Sequence, residues 1–578
     1  MQKTKEICNN VINQIKINKW IHYIILIIIG IVLSIGLKEI QIRDTHDGFL
    51  HFFRILGTYD TLSLGIFPPL VIQNYCNNSG YAMNLFYPPL VTYIPLLINI
   101  FTKSYMLTLK VFGAICIILS GITMYQCTYK ITKNKCIAFL TGVFYMIAPY
   151  KLATVYKRYA IGEFTALVFM PLVFLGLYNL FNEDGKKHYY IAIGAIGLML
   201  SHTITTVYTA IFCILYVLFY IKKLKNKEIL KKCIINVIFI LLVSLLFWFP
   251  MLEASNSAEY AIMNDKIIST TGKYASEHTI SFYQLFFDTQ EKNGITFLIG
   301  IPTLFAIILT PFVLKKIKPE YKEIYLIFIL FSFISLFMTS KFFPWIVMPN
   351  ILCKLQYPWR MMGFFAFFIS FICGINLYTL IKNIIKEDYL KVIIILFFVI
   401  ISINFTIPTM YRFYTQNPNL DEEYQSAVMA VKKKISHKSI NRDYMPIRAL
   451  LLQDSYVEER EDKTYILQGK AEIIEENKEE NLTDNIKIKN VSKDTILEFP
   501  YLFYVGYEAN LQTENGSIKL QLVESENGYL SCKLQEDIKE GEITVKYVGT
   551  TIQYVSYIIS AISLIVFICY IIYENKKK

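Results

Sequence analysis

The stretch IILIIIGIVLSIGLKEIQIRDTHDGFLHFFR, residues 24–54, decides the fold class. Its first half is apolar and long enough to cross a bilayer, which takes about 20 mainly apolar residues. Its second half places two carboxylates, two histidines and two arginines within residues 43–54. The 578-residue chain is 54% hydrophobic and contains 42 Phe and 42 Tyr, so we expect a polytopic α-helical membrane protein.

Apolar windows of spanning length recur along the chain. We predict about twelve spans, near residues 20–40, 105–128, 136–156, 163–181, 188–201, 203–221, 232–250, 294–314, 323–340, 361–381, 389–408 and 552–573. The segment Phe86–Phe101 is a further candidate, but it is short and is interrupted by Pro88, Pro89 and Pro95. We predict that it is re-entrant or interfacial.

Lysine-rich connectors orient the spans, because short loops rich in Lys and Arg stay cytoplasmic. If residues 86–101 do not cross, the basic connectors 222–232, 315–322 and 382–391 all fall on one side. We therefore predict that both termini are cytoplasmic and that residues 41–104 form a first external loop. The predicted transmembrane domain is 1–408.

Residues 409–551 differ in composition from the rest of the chain. They carry 25 Asp and Glu against 18 Lys and Arg, whereas the other residues carry 20 against 39. The basic excess of the membrane part suits membrane lipids with anionic headgroups and argues against nucleic acid as a partner. A final transmembrane helix and a basic cytoplasmic tail occupy 552–578.

The acidic segment has the pattern of an antiparallel β-domain. Alternating stretches are separated by ENG, ENG and KEG turns, which is typical of hairpins. The predicted strands are Tyr501–Tyr507, Ile518–Val523, Tyr529–Leu534 and Glu542–Tyr547. We predict an extracytoplasmic β-sandwich-like domain, preceded by a partly helical region near 421–435, that recognises an acceptor or a partner and supplies no essential catalytic group.

The charged stretch of the opening segment has helical spacing. If a helix begins near Asp47, then Asp47, His51 and Arg54 share one face. The other faces carry Phe49, Phe52, Phe53 and Leu56. We predict an amphipathic helix on the outer leaflet that offers a base, an imidazole and a cation to a groove. The alternative is contact with lipid headgroups and capping of the helix.

Further ionisable residues lie at the predicted outer ends of spans. Lys157 and Arg158 run against the tendency of basic residues to stay inside, so they bind an anionic ligand or headgroups. Glu163 is expected to pair with Arg158 in a structural role. His202 is more often a packing residue than a catalyst. Arg360 either anchors the chain at the interface or binds phosphate.

Several motifs occur in order along the chain: THDGFLHFFRI (45–55), GIFPP (65–69), SGYAMNLFYPPLVTYIPLL (79–97), YKRYAIGEFTALVFMPLVFLGLY (156–178), LSHTITTVYTAIF (200–212), LQYPWRMMGF (355–364), FPYLFYVGYEA (499–509), NGYLSCKL (527–534) and GEITVKYVGT (541–550). Together they resemble bacterial GT-C-type membrane glycosyltransferases. The similarity is greatest to the YfhO-like proteins and the 6-pyruvoyl-tetrahydropterin synthase-related membrane proteins. It extends over the whole chain.

The resemblance implies a multi-pass protein of the bacterial plasma membrane with an extracytoplasmic active site and an essential acidic residue in the first external loop. It also implies a polyprenyl-phosphate sugar donor and a cell-envelope polymer such as teichoic acid as acceptor. The YPPL element, with Tyr87, Pro88 and Pro89, is expected beside the donor site. Unlike several such families, the loop has no adjacent acidic pair. Asp47 is therefore the first candidate base and Asp44 the second.

The predicted function is inverting transfer of a sugar, with an Asp base and cations at the leaving phosphate. The candidate donor-binding residues are His51, Arg54, Lys157, Arg158, His202 and Arg360. A divalent cation on Asp44, His46 and Asp47 is an alternative, but we favour a site without metal because Arg and Lys can neutralise a monophosphate. The other functions that we weigh are a non-enzymatic envelope assembly or scaffold protein and, less favoured, a lipid or polysaccharide transporter.

Overall fold

The computed structural model describes residues 19–576, apart from 74, 184, 266, 288–294, 296, 412–441, 453 and 480–481. The α-helices in this part of the chain are α1 (Lys19–Ser34), α2 (Gly48–Ser63), α3 (Met83–Phe86), α4 (Leu90–Thr102), α5 (Tyr105–Thr132), α6 (Lys135–Met146), α7 (Pro149–Tyr156), α8 (Ile161–Asn182), α9 (Tyr190–Met199), α10 (Thr203–Phe219), α11 (Lys227–Val243), α12 (Leu245–Ser257), α13 (Gly272–Glu277), α14 (Phe282–Phe286), α15 (Ile301–Val313), α16 (Pro319–Thr339), α17 (Asn350–Cys353), α18 (Met361–Ile384), α19 (Asp388–Tyr411), α20 (Ile447–Leu451), α21 (Asp454–Glu459) and α22 (Thr551–Lys576). Short 3₁₀ helices occupy Ile35–Glu39, Ile42–Asp44, Ile221–Lys225, Ala261–Met263, Leu314–Lys316, Trp345–Val347, Pro358–Arg360 and Arg442–Tyr444.

Seven helices in the described part of the chain are long and apolar enough to cross a membrane. They are Trp20–Glu39, Tyr105–Thr132, Ile161–Asn182, Pro319–Thr339, Pro358–Ile384, Asp388–Ile407 and Thr551–Lys576. The number rises to nine if α6 with α7, bent by 46°, and α11 with α12, bent by 64°, each form one span. A helical chain with several spans is therefore confirmed.

The predicted count of twelve stays a prediction. Each of the twelve predicted spans coincides with helix, but α9, α10 and α15 have only 10, 17 and 13 residues. Pro149, which has no N–H to donate, begins α7 directly after the break that follows α6. Sequence windows did not reveal such breaks, because hydropathy averages over them.

The proline-containing segment of the first loop is interrupted as predicted. The short helix α3 ends at Phe86, and α4 begins at Leu90 after Tyr87, Pro88 and Pro89. At 1.5 Å per residue the 13 residues of α4 extend about 20 Å, less than the hydrocarbon core of a bilayer. Whether the segment re-enters stays a prediction.

The helix predicted to lie on the outer leaflet is present, but the prediction that its polar face is exposed at the membrane surface is wrong. Helix α2 does begin directly after Asp47, but His51, Phe52, Phe53 and Arg54 are all buried. The spacing identified the polar stripe correctly. It did not reveal that other parts of the first loop cover this stripe with polar groups of their own.

The β-domain consists of two antiparallel sheets. The strands are β1 (Tyr465–Gln468), β2 (Glu472–Glu479), β3 (Thr483–Val491), β4 (Ile496–Leu502), β5 (Tyr507–Thr513), β6 (Gly516–Leu520), β7 (Leu522–Glu524), β8 (Tyr529–Lys533) and β9 (Ile538–Tyr547). Their order is β1-β4-β8-β7 in one sheet and β2-β3-β9-β5-β6 in the other. Both sheets bury apolar side chains, among them Ile486 and Val545 of the second and Leu497 and Leu530 of the first. The predicted C-terminal β-domain is present.

Two of the predicted strand boundaries are wrong. The predicted strand Tyr501–Tyr507 covers the end of β4, a turn and the first residue of β5, while Ile518–Val523 is divided between β6 and β7 of different sheets. The KEG sequence at 539–541 lies inside β9 and is no turn. Alternation identifies extended chain, but it does not mark where a strand leaves one sheet for the other. The helical region predicted near 421–435 lies outside the described residues.

Candidate functional site

The candidate site is built around Asp47 at the start of α2. The N–H of Asp47 donates to the carbonyl oxygen of Arg158 at 2.8 Å, and the N–H of His46 donates to that of Lys157 at 3.2 Å. These bonds fix the loop before α2 against the turn after α7. The Asp47 carboxylate makes no capping hydrogen bond to α2, and its side chain is 40% exposed. It is therefore held in position by its backbone while its oxygens remain accessible.

A buried ion pair lies directly behind this carboxylate. Arg158 Nη2 is 3.9 Å from Asp47 Oδ2, and Arg158 Nη1 is 2.5 Å from Glu163 Oε2. The Tyr150 hydroxyl donates to the other Glu163 oxygen at 2.5 Å. Arg158 and Glu163 are 5% and 4% exposed. The expected pairing of Glu163 with Arg158 is thus present in the structure, and it orients the guanidinium toward Asp47.

Two side chains of the turn Pro358–Arg360 also lie at the site, Trp359 and Arg360. The Arg158 guanidinium carbon lies 4.7 Å above the centre of the Trp359 ring, a cation–π contact. Arg360 Nη1 donates to the carbonyl oxygen of Leu355 at 2.9 Å and to Gln356 Oε1 at 3.0 Å. Its buried Nε has no hydrogen-bond partner among the described residues. Arg360 is therefore oriented by the protein, and its side chain is half-buried.

His202 faces the same group from the start of α10. Its Nδ1 accepts from the Thr205 N–H at 3.3 Å and is 2.7 Å from the Thr205 hydroxyl oxygen. An Nδ1 that accepts from a backbone N–H carries no proton, so the neutral ring bears its proton on Nε2. Burial, with the positive charges of Arg360 and Arg158, lowers the pKa of His202 to about 3. His202 is therefore a neutral hydrogen-bond donor and no cation, contrary to its predicted place among the cations.

Gly162 allows these elements to come close together. A Cβ at this position would lie 2.6 Å from the Tyr87 hydroxyl, 2.8 Å from the Ser201 carbonyl oxygen and 3.0 Å from His202 Cδ2. Any larger residue would force the YPPL segment away from the start of α10. The structure thus brings Tyr87 and His202 to the N-terminus of α8, beside Glu163.

His51 and Arg54 lie behind the site and not in its open part. Arg54 donates from Nη2 to the carbonyl oxygens of Tyr87 and Pro88, both at 2.9 Å, and from Nε to Asn84 Oδ1 at 2.9 Å. The His51 ring packs against the Tyr87 ring at 5.3 Å. Burial, followed by the positive charge of Arg54, holds the pKa of His51 well below its ordinary value. These two residues hold the YPPL segment in place.

The remaining candidates are placed as follows. Asp44 ends a 3₁₀ helix and is exposed, and the Lys157 side chain is half-buried beside Arg158. The carbonyl oxygens of Tyr87 and Pro88 face Arg54, and Pro89 immediately precedes α4. Nowhere in the described residues do three His, Cys, Asp or Glu side chains form a group that could hold a metal ion. The side chains of Asp44, His46 and Asp47 are therefore not brought together as such a group.

Sequence reasoning missed Tyr150 and understated Trp359. Tyr150 lies eight residues before Arg158, and nothing in its surroundings marks it as the partner of a carboxylate. For Trp359, which precedes Arg360, nothing in the sequence indicated a contact with Arg158, but its ring packs on Arg158 and stands 6.2 Å from the Tyr150 ring. Such contacts join segments that are far apart in sequence, so local patterns carry no signal for them.

The arrangement combines an accessible carboxylate with two oriented guanidiniums and a neutral imidazole donor. Asp47 can accept a proton, and the guanidinium of Arg360 supplies a positive charge that attracts an anion. Arg158 pairs with Glu163 through Nη1, while its Nη2 faces Asp47. A ligand near Asp47 therefore also lies near the positive charge of Arg158. A proton acceptor beside an anion-binding group suits a transfer reaction in which an anion leaves.

The fold defines a helical membrane protein with several spans and a C-terminal β-domain. Residues 85–411 match the family described as "6-pyruvoyl-tetrahydropterin synthase related domain; membrane protein". This match covers more than half of the chain, and the protein belongs to that family of membrane proteins. The matched part contains Arg158, Glu163, His202 and Arg360, whereas Asp47 precedes it.

Individual proteins with known sequence or structure are also similar to the chain. An uncharacterized protein of Lactococcus lactis subsp. cremoris (strain MG1363) is 29% identical over 338 residues, which are 56% of this chain and 54% of the relative. The chain thus spans about half the length of that relative. Two solved structures are similar at 13% identity, the oligosaccharyltransferase AglB from Archaeoglobus fulgidus and an oligosaccharyltransferase of the same organism, and each similarity covers 69% of this chain and 56% of the other. Their TM-scores are 0.39 for the complex with an inhibitory peptide and dolichol-phosphate and 0.36 for the apo form.

Proposed function

We propose that the protein is a GT-C-type glycosyltransferase of the bacterial plasma membrane, with an active site on the outer face. It moves a sugar from a polyprenyl-phosphate donor to a cell-envelope polymer such as teichoic acid. The observation that carries the proposal is the accessible Asp47 carboxylate, which lies 3.9 Å from the Arg158 guanidinium. The whole-chain resemblance described above supports the same reaction class.

The proposed reaction is a single displacement. The acceptor hydroxyl gives its proton to Asp47 while its oxygen forms a bond to the anomeric carbon of the donor sugar. The bond from that carbon to the phosphate oxygen breaks, and polyprenyl phosphate leaves with the electron pair. Attack opposite the leaving group inverts the anomeric configuration and needs one carboxylate. Such general-base help is worth about 10²- to 10⁴-fold in rate.

The cations act on the leaving group. The positive charges of Arg360 and Arg158 lower the energy of the negative charge that develops on the phosphate. Glu163 and Tyr150 hold Arg158, so their role is positioning. His51 and Arg54 keep Tyr87 and the YPPL segment beside the donor. This division replaces the direct contact of His51 and Arg54 with phosphate that the sequence suggested.

The proposed domain organisation follows the predicted one. Residues 1–408 form the transmembrane domain with the external first loop 41–104, residues 409–551 the extracytoplasmic β-domain, and 552–578 the final helix and tail. The acidic β-domain binds the acceptor polymer or a protein partner. No other function has a structural observation in its favour.

The proposal is tested by sugar transfer in nanodiscs. The purified protein is given polyprenyl-phosphate sugars of several kinds and a cell-envelope acceptor, and the transferred sugar and the released polyprenyl phosphate are both measured. Equal amounts of the two products, with inverted configuration at the new bond, are expected. If none of the donors reacts with a folded protein, the non-enzymatic scaffold function replaces this proposal.

The proton on His202 Nε2 gives a second expected result. His202→Asn keeps an oxygen that can cap α10 but loses the Nε2 donor, so transfer should fall about tenfold with an unchanged shape of the pH profile. His202→Ala should in addition lose about 0.5–2 kcal/mol of stability with the cap. Transfer rates from pH 5.5 to 8.5 and thermal unfolding provide the measurement. If the Asn variant loses the acidic limb of the profile, His202 is a base.

The proposed orientation has a matched pair of probes. Asn226, after the 3₁₀ helix Ile221–Lys225, and Asn515, in the turn between β5 and β6, are both exposed. With cysteine at each position in turn, an impermeant maleimide should label residue 515 in intact cells and residue 226 only after permeabilisation. Labelling of residue 226 from outside would reverse the topology.

A further inference from the structure

The segment SGYAMNLF, residues 79–86, is held directly by the β-domain. The Leu502 N–H donates to the Ser79 carbonyl oxygen at 2.8 Å, and the Tyr444 N–H donates to the Tyr81 hydroxyl at 3.3 Å. Gly80 has a φ of +82°, and a Cβ there would stand 3.3 Å from the Tyr507 hydroxyl. The domain therefore touches the first loop through both its backbone and its aromatic side chains.

Four buried aromatic rings form the centre of this contact, and we call them the aromatic clamp. Phe86 stacks on Tyr444 with a centroid distance of 5.9 Å and an angle of 4°, and it lies 4.8 Å from Tyr260. Tyr260 stacks on Tyr504 at 5.7 Å and 3°. The Tyr504 hydroxyl donates to the Tyr444 carbonyl oxygen at 3.1 Å. The clamp joins the first loop, the loop after α12 and the β-domain.

The clamp is directly connected to the candidate site. Phe86 precedes Tyr87, whose carbonyl oxygen is bonded by Arg54 of α2. Helix α2 begins next to Asp47, and Asn84 bonds both Arg54 and Thr58 of this helix. A displacement of Phe86 therefore moves Tyr87 and, through Arg54, helix α2, which begins directly after Asp47. Misplacement by about 1 Å can cost about 10²-fold in rate.

We propose that the β-domain is a positioning element of the catalytic site, acting through Tyr444 on the segment 79–87. This inference rests on the proposed function. It changes the expectation that the domain only recognises an acceptor or partner, because without the docked domain the first loop loses the surface that holds it. Tyr444 touches no reacting group, and its effect passes through Phe86 and Tyr87.

A native cysteine reports on docking independently of activity. Cys76 is a free thiol with 1% exposure in the first loop. Its neighbours are bonded to the domain: Asn77 Nδ2 donates to the Arg460 carbonyl oxygen at 2.8 Å, and Asn78 Nδ2 donates to Asp462 Oδ2 at 3.0 Å. Release of the domain exposes this region, so the rate at which a maleimide labels Cys76 measures docking.

The test compares Tyr444→Ala with Tyr444→Phe in the full-length protein in nanodiscs. The Ala variant should lower kcat at least about tenfold, leave the KM for a polyprenyl-phosphate sugar within about twofold, and label Cys76 at least about tenfold faster. The Phe variant keeps the stacked ring and should match the wild type in all three. Tyr260→Ala, which removes another ring of the clamp, should behave like Tyr444→Ala. Tyr283→Ala, at an exposed aromatic residue of α14, should change nothing.

Each outcome decides the proposal. Faster Cys76 labelling with unchanged kcat in the Ala variant would show that docking does not position the site, and unchanged labelling with unchanged kcat would show that Tyr444 does not hold the domain. If the wild type transfers no sugar, the proposed function fails. Hydrogen exchange at residues 48–55 and 83–88 then tests separately whether the β-domain positions the first loop. Faster exchange in Tyr444→Ala supports positioning of the first loop by the domain, and equal exchange overturns it.

Discussion

Asp47→Asn should lower sugar transfer by about 10²-fold or more while leaving the amount of folded protein and donor binding nearly unchanged. Asn removes the proton acceptor but keeps the size of the side chain. The Asp47 side chain is 40% exposed and makes no capping bond to α2, and the loop is held by the backbone bond to Arg158. The substitution should therefore act on chemistry alone. The measurement is kcat for transfer from a polyprenyl-phosphate sugar in nanodiscs.

Asp44 provides the matched control. It is an exposed carboxylate three residues earlier in the same loop, at the end of a 3₁₀ helix. Asp44→Asn should transfer sugar within about threefold of the wild-type rate, in the range of surface substitutions that break no specific contact. If Asp47→Asn is as active as the wild type and Asp44→Asn is not, the base is Asp44 and the proposed geometry is incorrect.

Glu163→Gln should be the most destabilising of these substitutions. It leaves the buried Arg158 without its carboxylate at 2.5 Å, and loss of one partner of a buried ion pair costs about 3–5 kcal/mol. The amide cannot satisfy both neighbours as well as the carboxylate does, since Tyr150 and Arg158 are both donors. Thermal unfolding in detergent should show a clearly lower Tm, and transfer should fall as Arg158 loses its orientation.

Glu183 is a matched glutamate at the end of α8 that pairs with Lys130 and Lys133 and is 25% exposed. A partly solvated pair of this kind is worth about 1 kcal/mol or less. Glu183→Gln should therefore reduce the Tm slightly and leave transfer at the wild-type rate. Equal losses of Tm in the two variants would indicate that the buried Arg158–Glu163 ion pair stabilises the protein no more than the Glu183 pairs do.

The long helices and the existence of a β-domain could be predicted from the sequence because both depend on local patterns. The runs that became α5, α8 and α18 are apolar over more than twenty residues. The pairing of Glu163 with Arg158 was also foreseeable, since the two residues are only five positions apart in the sequence. In contrast, hydropathy could not distinguish short helices such as α9 from full spans.

The parts that failed depend on contacts between distant segments. Spacing placed Asp47, His51 and Arg54 on one face of α2. It could not tell that Tyr87 covers His51 and that Asn84 and Pro88 cover Arg54. Tyr150 and the aromatic clamp have no local signature because their partners come from separate loops. The strand boundaries were predicted incorrectly for a similar reason. The residue at which the chain leaves one sheet, after β6, and enters the other, at β7, depends on pairing with other strands.

The contact between the first loop and the β-domain also governs the order of events during biosynthesis. Gln73 bonds to Glu479, 406 positions later in the chain, so the loop leaves the ribosome long before its partner exists. At about 5–20 residues per second this interval lasts about 20–80 s. During that time the nascent protein contains the first loop without the β-domain residues that bond to it. The contacts of the first loop with the β-domain are complete only after that domain has been synthesised, so a prematurely terminated chain would contain Asp47 and Arg158 but lack these contacts.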